Sequence, residues 1–142
     1  MCSSDLLESK DSLTTDTLLT VSGCGASEVY AVGDLSVLRH DGKSWSRVDF
    51  APTGSVNGVA CDGAGQVVLV GAAGFKRRLA DDVWRDEPNQ PPTADLHVAW
   101  SDGSGAFWVG GGDFVSQPDN GKRRRGVVGR FGVGHVDGFV GP

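Results

Sequence analysis

The chain has 142 residues, room for one domain and too little for a scaffold plus a separate catalytic module. Its formal net charge of -5, from 18 acidic and 13 basic residues, argues against a nucleic-acid surface as the main role. With 22 Gly but only 6 Pro and no three-residue period, it is neither collagen-like nor a linker, and 39% hydrophobic residues permit a packed core.

Residues 1–17 read as an N-terminal tail. No run of about 18 apolar residues occurs, so no transmembrane segment is expected, and no basic-then-apolar leader opens the chain. Met1-Cys2-Ser3-Ser4-Asp5 nevertheless resembles the mature end of a bacterial lipoprotein. Two readings of Cys2 stand: a lipidated anchor, favouring an extracytoplasmic or outer-membrane-associated place, or a free thiol in a loose tail. Three cysteines leave one odd, so Cys24 and Cys61 are a candidate disulfide if Cys2 is lipidated; the alternative is three free thiols in a reducing compartment.

Beyond the tail, three segments share one pattern: Val29-Tyr30-Ala31-Val32-Gly33, Val67-Val68-Leu69-Val70-Gly71 and Ala106-Phe107-Trp108-Val109-Gly110. Gly33, Gly71 and Gly110 would define the repeat, preceded at equal distance by Val21, Val59 and Val98 and followed in the first two units by Trp45 and Trp84. The units are residues 18–56, 57–95 and 96–142, the last degenerate and carrying an insertion at 116–126.

Each unit reads as short antiparallel strands bounded by Gly, Asp and Ser. In the first these are residues 20–22, 29–32, 37–40 and 44–48, with Asp41-Gly42 as a hairpin signal before the last. Asp81-Asp82 is the weaker counterpart in the second, between strands at 76–79 and 83–85. The third resumes at 127–132, and 133–142, which lacks the repeat's Trp, predicts a missing or frayed outer strand. The second strand of each unit is apolar at consecutive positions, which implies burial on both faces. A β-propeller blade supplies that environment, so the expected fold is all-β: a partial β-propeller of about three four-stranded antiparallel blades. Tyr30, Trp45, Trp84, Phe107 and Trp108 are then blade-to-blade core. An open stack would also leave two apolar sheet faces in water.

Gly25 through Gly33, followed by Val37-Leu38-Arg39-His40-Asp41-Gly42-Lys43-Ser44-Trp45, resembles the tandem blade repeat of bacterial propeller proteins described as BNR or Asp-box-like. The third unit departs from it: in Ser101-Asp102-Gly103-Ser104-Gly105 a Gly stands where an Asp box has its Asp. The resemblance spans residues 18–132 and implies a scaffold found with many activities.

Two functions compete. One is a non-catalytic binding or scaffold module, a fragment of a larger exported or surface protein, with a protein or glycan ligand and further blades from the same or another chain. The other is the remnant of a sialidase-like glycan-processing enzyme, which needs a nucleophilic Tyr, an activating carboxylate and converging Arg. Tyr30 is the sole Tyr and falls in the buried pattern, while Arg39, Arg77 and Arg130 sit at comparable third-strand positions. No catalytic set is assigned to His40, His97 or His135. Asp119-Asn120-Gly121 lacks the later Glu of a calcium loop, and Gly110-Gly111-Gly112 has no following helix to cradle phosphate. No cofactor, metal or nucleic acid is assigned. The basic runs 76–78 and 122–125 read as solvated loops or protection of a sheet edge.

Overall fold

The burial of Val67–Gly71 organises the molecule, because every residue of this strand is buried. Val67 and Leu69 face one way, into a cluster with Tyr30, Val32, Val37, Val56 and Val59. Val68 and Val70 face the other, into a cluster with Ala60, Leu96, Phe107, Val109, Val127 and Phe131. A strand with two buried faces must lie in a sheet packed between two others.

The computed structural model describes residues 13–87, 94–112 and 125–132, and the backbone of 135–140. Three four-stranded antiparallel sheets follow one another along the chain. The first comprises β1 (Thr20–Gly25), β2 (Glu28–Gly33), β3 (Ser36–His40) and β4 (Trp45–Arg47). The second comprises β5 (Val56–Cys61), β6 (Val67–Gly71), β7 (Lys76–Ala80) and β8 (Val83–Asp86). The third comprises β9 (Leu96–Ser101), β10 (Ala106–Gly112), β11 (Gly126–Gly132) and β12 (His135–Val140). Each sheet runs in sequence order, the meander of a propeller blade. The innermost strands are stitched in series: Thr20 Oγ1 donates to the Asn57 carbonyl at 2.7 Å, and Asn57 Nδ2 to the Leu96 carbonyl at 2.9 Å.

The turns follow their residues. Asp41 Oδ1 accepts the amides of Lys43 and Ser44 at 2.9 and 2.8 Å, shaping the Asp41-Gly42 turn. Asp81 and Asp82 both adopt positive φ, 52° and 59°, the geometry of a two-residue hairpin that Asp tolerates.

Four expectations are corrected. First, the glycine of the third sheet that corresponds to Gly33 and Gly71 is Gly111, not Gly110. A side chain at Gly33, Gly71 or Gly111 would overlap the carbonyl oxygen of Thr17, Ser55 or Asp95, whereas at Gly110 a Cβ would rest 3.1 Å from Val98 Cγ2. Pairing agrees: Val21 opposes Ala31, Val59 opposes Leu69 and Ala99 opposes Val109, so Ala99 rather than Val98 is the equivalent inner-strand residue. Second, β12 pairs with β11 from Val127 to Gly132, so the outer strand of the third sheet is present. Third, Gly126 opens β11 instead of closing an insertion; residues 113–124 lie outside the described residues, as does Cys2. Fourth, Trp45 is half-buried against His40, centroids 5.1 Å apart, and Trp108 is partly exposed, while Trp84 packs edge-on to Tyr30 at 6.4 Å.

The register makes a sharp comparison. Gly111→Ala forces a methyl into backbone and should cost more than about 2 kcal/mol, while Gly110→Ala should stay within about 1 kcal/mol. Urea unfolding of both variants checks it; equal losses would restore Gly110 as the repeat position.

Candidate functional site

The third strands place one arginine per sheet at a shared register. Arg39 opposes Tyr30, Arg78 opposes Val68, and Arg130 opposes Trp108. Arg77, expected in this set, points to the opposite face, where it pairs with Asp86 at 3.1 Å and lies 4.5 Å from the Phe50 centroid. The turn Ala72–Gly74 between β6 and β7 shifts β7 by one residue relative to β3, which moves the equivalent position to Arg78. The run 76–78 is therefore no solvated loop: Lys76 is 5% and Arg78 8% exposed. Burial pushes the Lys76 ammonium below its usual range, and its Nζ donates to the Gly74 carbonyl at 2.9 Å.

Each arginine has its own acceptor. Arg39 Nε donates to Glu28 Oε1 at 2.8 Å. Arg78 donates to Glu87 Oε1 at 2.6 Å and Gln66 Oε1 at 3.0 Å, with its guanidinium 5.6 and 5.4 Å from the Phe107 and Phe131 centroids of the next sheet. Arg130 donates to Asp102 Oδ2 at 3.1 Å and lies over Trp108 at 5.8 Å. Asp102 also accepts the amide of Ser104 at 2.9 Å and its hydroxyl at 2.5 Å; these bonds, with Arg130, hold its carboxyl down at about 2.

Tyr30 is 1% exposed, and its hydroxyl donates to Glu28 Oε1 at 3.1 Å. Burial, then the Glu28 charge, pushes the phenol up to about 12. It is a hydrogen-bond donor inside a seam between sheets, the reverse of what a nucleophile requires. The arginines do not converge on one point: each is neutralised in its own sheet. His40 Nδ1 accepts the Gly42 amide at 3.1 Å, His97 lies in β9, and the side chain of His135 is outside the described residues. Among the described residues no group of three or more His, Cys, Asp or Glu is placed to hold a metal.

Concave space opens beside the second sheet. A cleft of about 540 Å³ is lined by Gln66, Arg78, Asp81, Arg85 and Glu87 with Gly132 of the third sheet, so it offers both signs of charge. Another, of about 420 Å³ and lined by Phe75, Lys76, Asp86 and Glu87, includes the Ala72–Gly74 turn. Cys24 and Cys61 come together across the first seam, with Cα atoms 5.1 Å apart and their sulfurs in bonding contact. That separation lies within the roughly 4.4–6.8 Å a bridge requires.

The acceptors Glu28, Gln66, Glu87 and Asp102 were not evident as partners from sequence alone. One signal was present: Asp62-Gly63-Ala64-Gly65 recurs 40 residues later as Asp102-Gly103-Ser104-Gly105, with Gly63 and Gly103 both at φ 77°. That offset carries Gly71 to Gly111.

No family model matches the chain, and no curated protein matches it. Among solved structures it superposes on YCF48 bound to D1 peptide with a TM-score of 0.60 at 18% identity, covering 82% of this chain and 36% of that one. The likeness is one of fold, a β-propeller, and the chain spans about a third of that protein's length.

Arg78→Ala should destabilise by about 3 kcal/mol, because it strands partly buried acceptors and uncovers two rings; Arg39→Ala, whose side chain is 49% exposed, should cost under about 1 kcal/mol. Asp102 has a folded value below its ordinary 3.8, so its contribution is present above that pH and is lost as pH falls toward about 2. Asp102→Asn should therefore flatten the acid limb of the stability profile between those two values and leave its shape at neutral pH unchanged, as read by acid titration of circular dichroism.

Proposed function

We propose that the chain is a non-catalytic propeller module that binds or scaffolds a polypeptide. The observation that carries this reading is the pairing of every third-strand arginine with an acid of its own sheet. The charges are spent on fixing the blades, and what is left to a ligand is a mixed-charge cleft bordered by backbone and by Arg85 and Asp81. Such a surface suits the alternating donors and acceptors of an extended peptide. The solved propeller it resembles is bound to a peptide, which supports a protein partner. The repeat is of the BNR or Asp-box-like kind, in a larger exported or surface protein whose further blades, from the same or another chain, complete the ring. Cys2 is its lipid anchor, and a Cys24–Cys61 bridge clamps the first seam. Closing a loop of separation 37 is worth about 4 kcal/mol in the chain-entropy account.

The sialidase-like reading is the second one, and it rests on the three arginines in register with Tyr30 beside the first. A fluorogenic sialoside separates the two. The module should give no turnover above buffer; turnover abolished by Tyr30→Phe would establish the enzyme instead. Selection from a randomised peptide display should yield ligands whose affinity falls by about tenfold or more in Arg85→Glu. A non-reducing peptide map should return a fragment joining Cys24 to Cys61, and two separate alkylated peptides would remove the clamp.

A further inference from the structure

The three sheets close their first hairpins differently. With Gly33, Gly71 and Gly111 in correspondence, Cys24-Gly25-Ala26-Ser27 of the first sheet stands where the second has Asp62-Gly63-Ala64-Gly65 and the third has Asp102-Gly103-Ser104-Gly105. Asp62 Oδ1 accepts the amides of Ala64 and Gln66 at 2.8 and 3.0 Å, and Asp102 Oδ1 accepts that of Ser104 at 2.9 Å. Both turns set their two glycines at positive φ, 77° and 94° in one, 77° and 86° in the other. A carboxylate that caps its own turn, with glycines in the left-handed region, makes each of these turns self-supporting.

The first hairpin has neither device. A cysteine stands in place of the capping aspartate, and Gly25, Ala26 and Ser27 all keep negative φ. Cys24 is instead the extra residue of a bulge: Gly23 opposes Val29 and Gly25 opposes Glu28, with no residue opposite Cys24 between them. A bulge re-aims a side chain, and this one brings Cys24 to Cys61, Cα atoms 5.1 Å apart. Cys61 immediately precedes Asp62, so the pair ties the uncapped hairpin to the base of a capped one. Both cysteines are partly exposed, and residues 25–27 and 63–65 beside them are exposed, so the pair lies open to a reagent in solution.

We infer that the Cys24–Cys61 bridge does for the first hairpin what Asp62 and Asp102 do for theirs, which makes that hairpin a redox-conditional element: ordered while the bridge stands, loosened by a dithiol. The inference rests on the bridge proposed above. A thiolate of the dithiol attacks one of the two sulfurs, the bond between the cysteines breaks as a mixed disulfide forms, and the second thiol of the reductant displaces it. Two electrons and two protons pass to the chain, leaving Cys24 and Cys61 as thiols and the reductant as a disulfide. Ala64, Gly65 and Gln66 line the mixed-charge cleft and keep their aspartate cap, so reduction leaves that wall in place and acts on the neighbouring hairpin.

Hydrogen exchange of the full chain before and after dithiothreitol reads this directly. Amides of residues 23–29 should exchange about tenfold or more faster after reduction, while those of the equivalent residues 61–67 and 101–107 change by less than about threefold. Cys24→Ser with Cys61→Ser should exchange like the reduced chain whether or not dithiothreitol is present. Cys24→Asp with Ser27→Gly and Cys61→Ser, which writes the second sheet's turn sequence into the first, should recover the protection and ignore dithiothreitol, with circular dichroism as the check on folding. Unchanged protection on reduction, loosening shared equally by all three hairpins, or a folded triple variant no better protected than the double serine variant would each overturn the inference. A peptide map without the joined Cys24 and Cys61 fragment would overturn the bridge and the inference with it, whereas a bridged chain whose hairpin ignores reduction overturns the inference alone.

Discussion

Burial of β6 on both faces is the constraint from which the rest of the structure follows. Val67, Val68, Leu69 and Val70 are each at most 1% exposed, and their alternation requires an apolar sheet on either side. Tyr30, Val32 and Val37 answer it from the first sheet, and Leu96, Phe107, Val109 and Phe131 from the third. Within each sheet, the backbone entering the inner strand crosses the end of the second strand, at Thr17, Ser55 and Asp95. Only a residue without a Cβ fits at Gly33, Gly71 and Gly111, which is why a repeat with little other identity keeps this glycine.

The polar groups obey the same geometry. The arginines at the register of Tyr30, Val68 and Trp108 are each held by a carboxylate, and buried Arg78, where a bare guanidinium would be costly, also by two rings across the seam. The arrangement stabilises blades against one another and leaves Tyr30 protonated and enclosed. With these charges engaged inside the blades, the proposed ligand surface is the mixed-charge cleft lined by Gln66, Asp81, Arg85 and Glu87.

Much of this was legible in the sequence. The apolar runs at 29–32, 67–70 and 106–109 and their glycines announced the strands, and Asp41-Gly42 announced its turn. What misled was the glycine triplet 110–112: any of its members satisfies a pattern ending in Gly, and a one-residue slip in a strand turns every side chain to the other face. The slip made Val98 rather than Ala99 the inner-strand equivalent, and so hid the exposed Val98, Trp100 and Trp108 row. Arg78 was missed for a related reason, since the longer turn after Gly71 adds a residue between second and third strands, the same residue that makes the Trp45 to Trp84 spacing one longer than that of Gly33 to Gly71. The outer strand β12 was unreadable because residues 133–142 carry no repeat Trp, yet backbone pairing needs none.

Native-state hydrogen exchange tests the central claim most directly, since it reports the free energy at which each backbone hydrogen bond opens. If β6 is the doubly packed centre, the amides of Val67–Gly71 should exchange only through global unfolding, the slowest in the chain, with those of β4 and β8 opening at lower free energy. Amides of β6 exchanging as readily as those of β4 would show that the sheets do not pack on both of its faces, and the account built on that burial would fail.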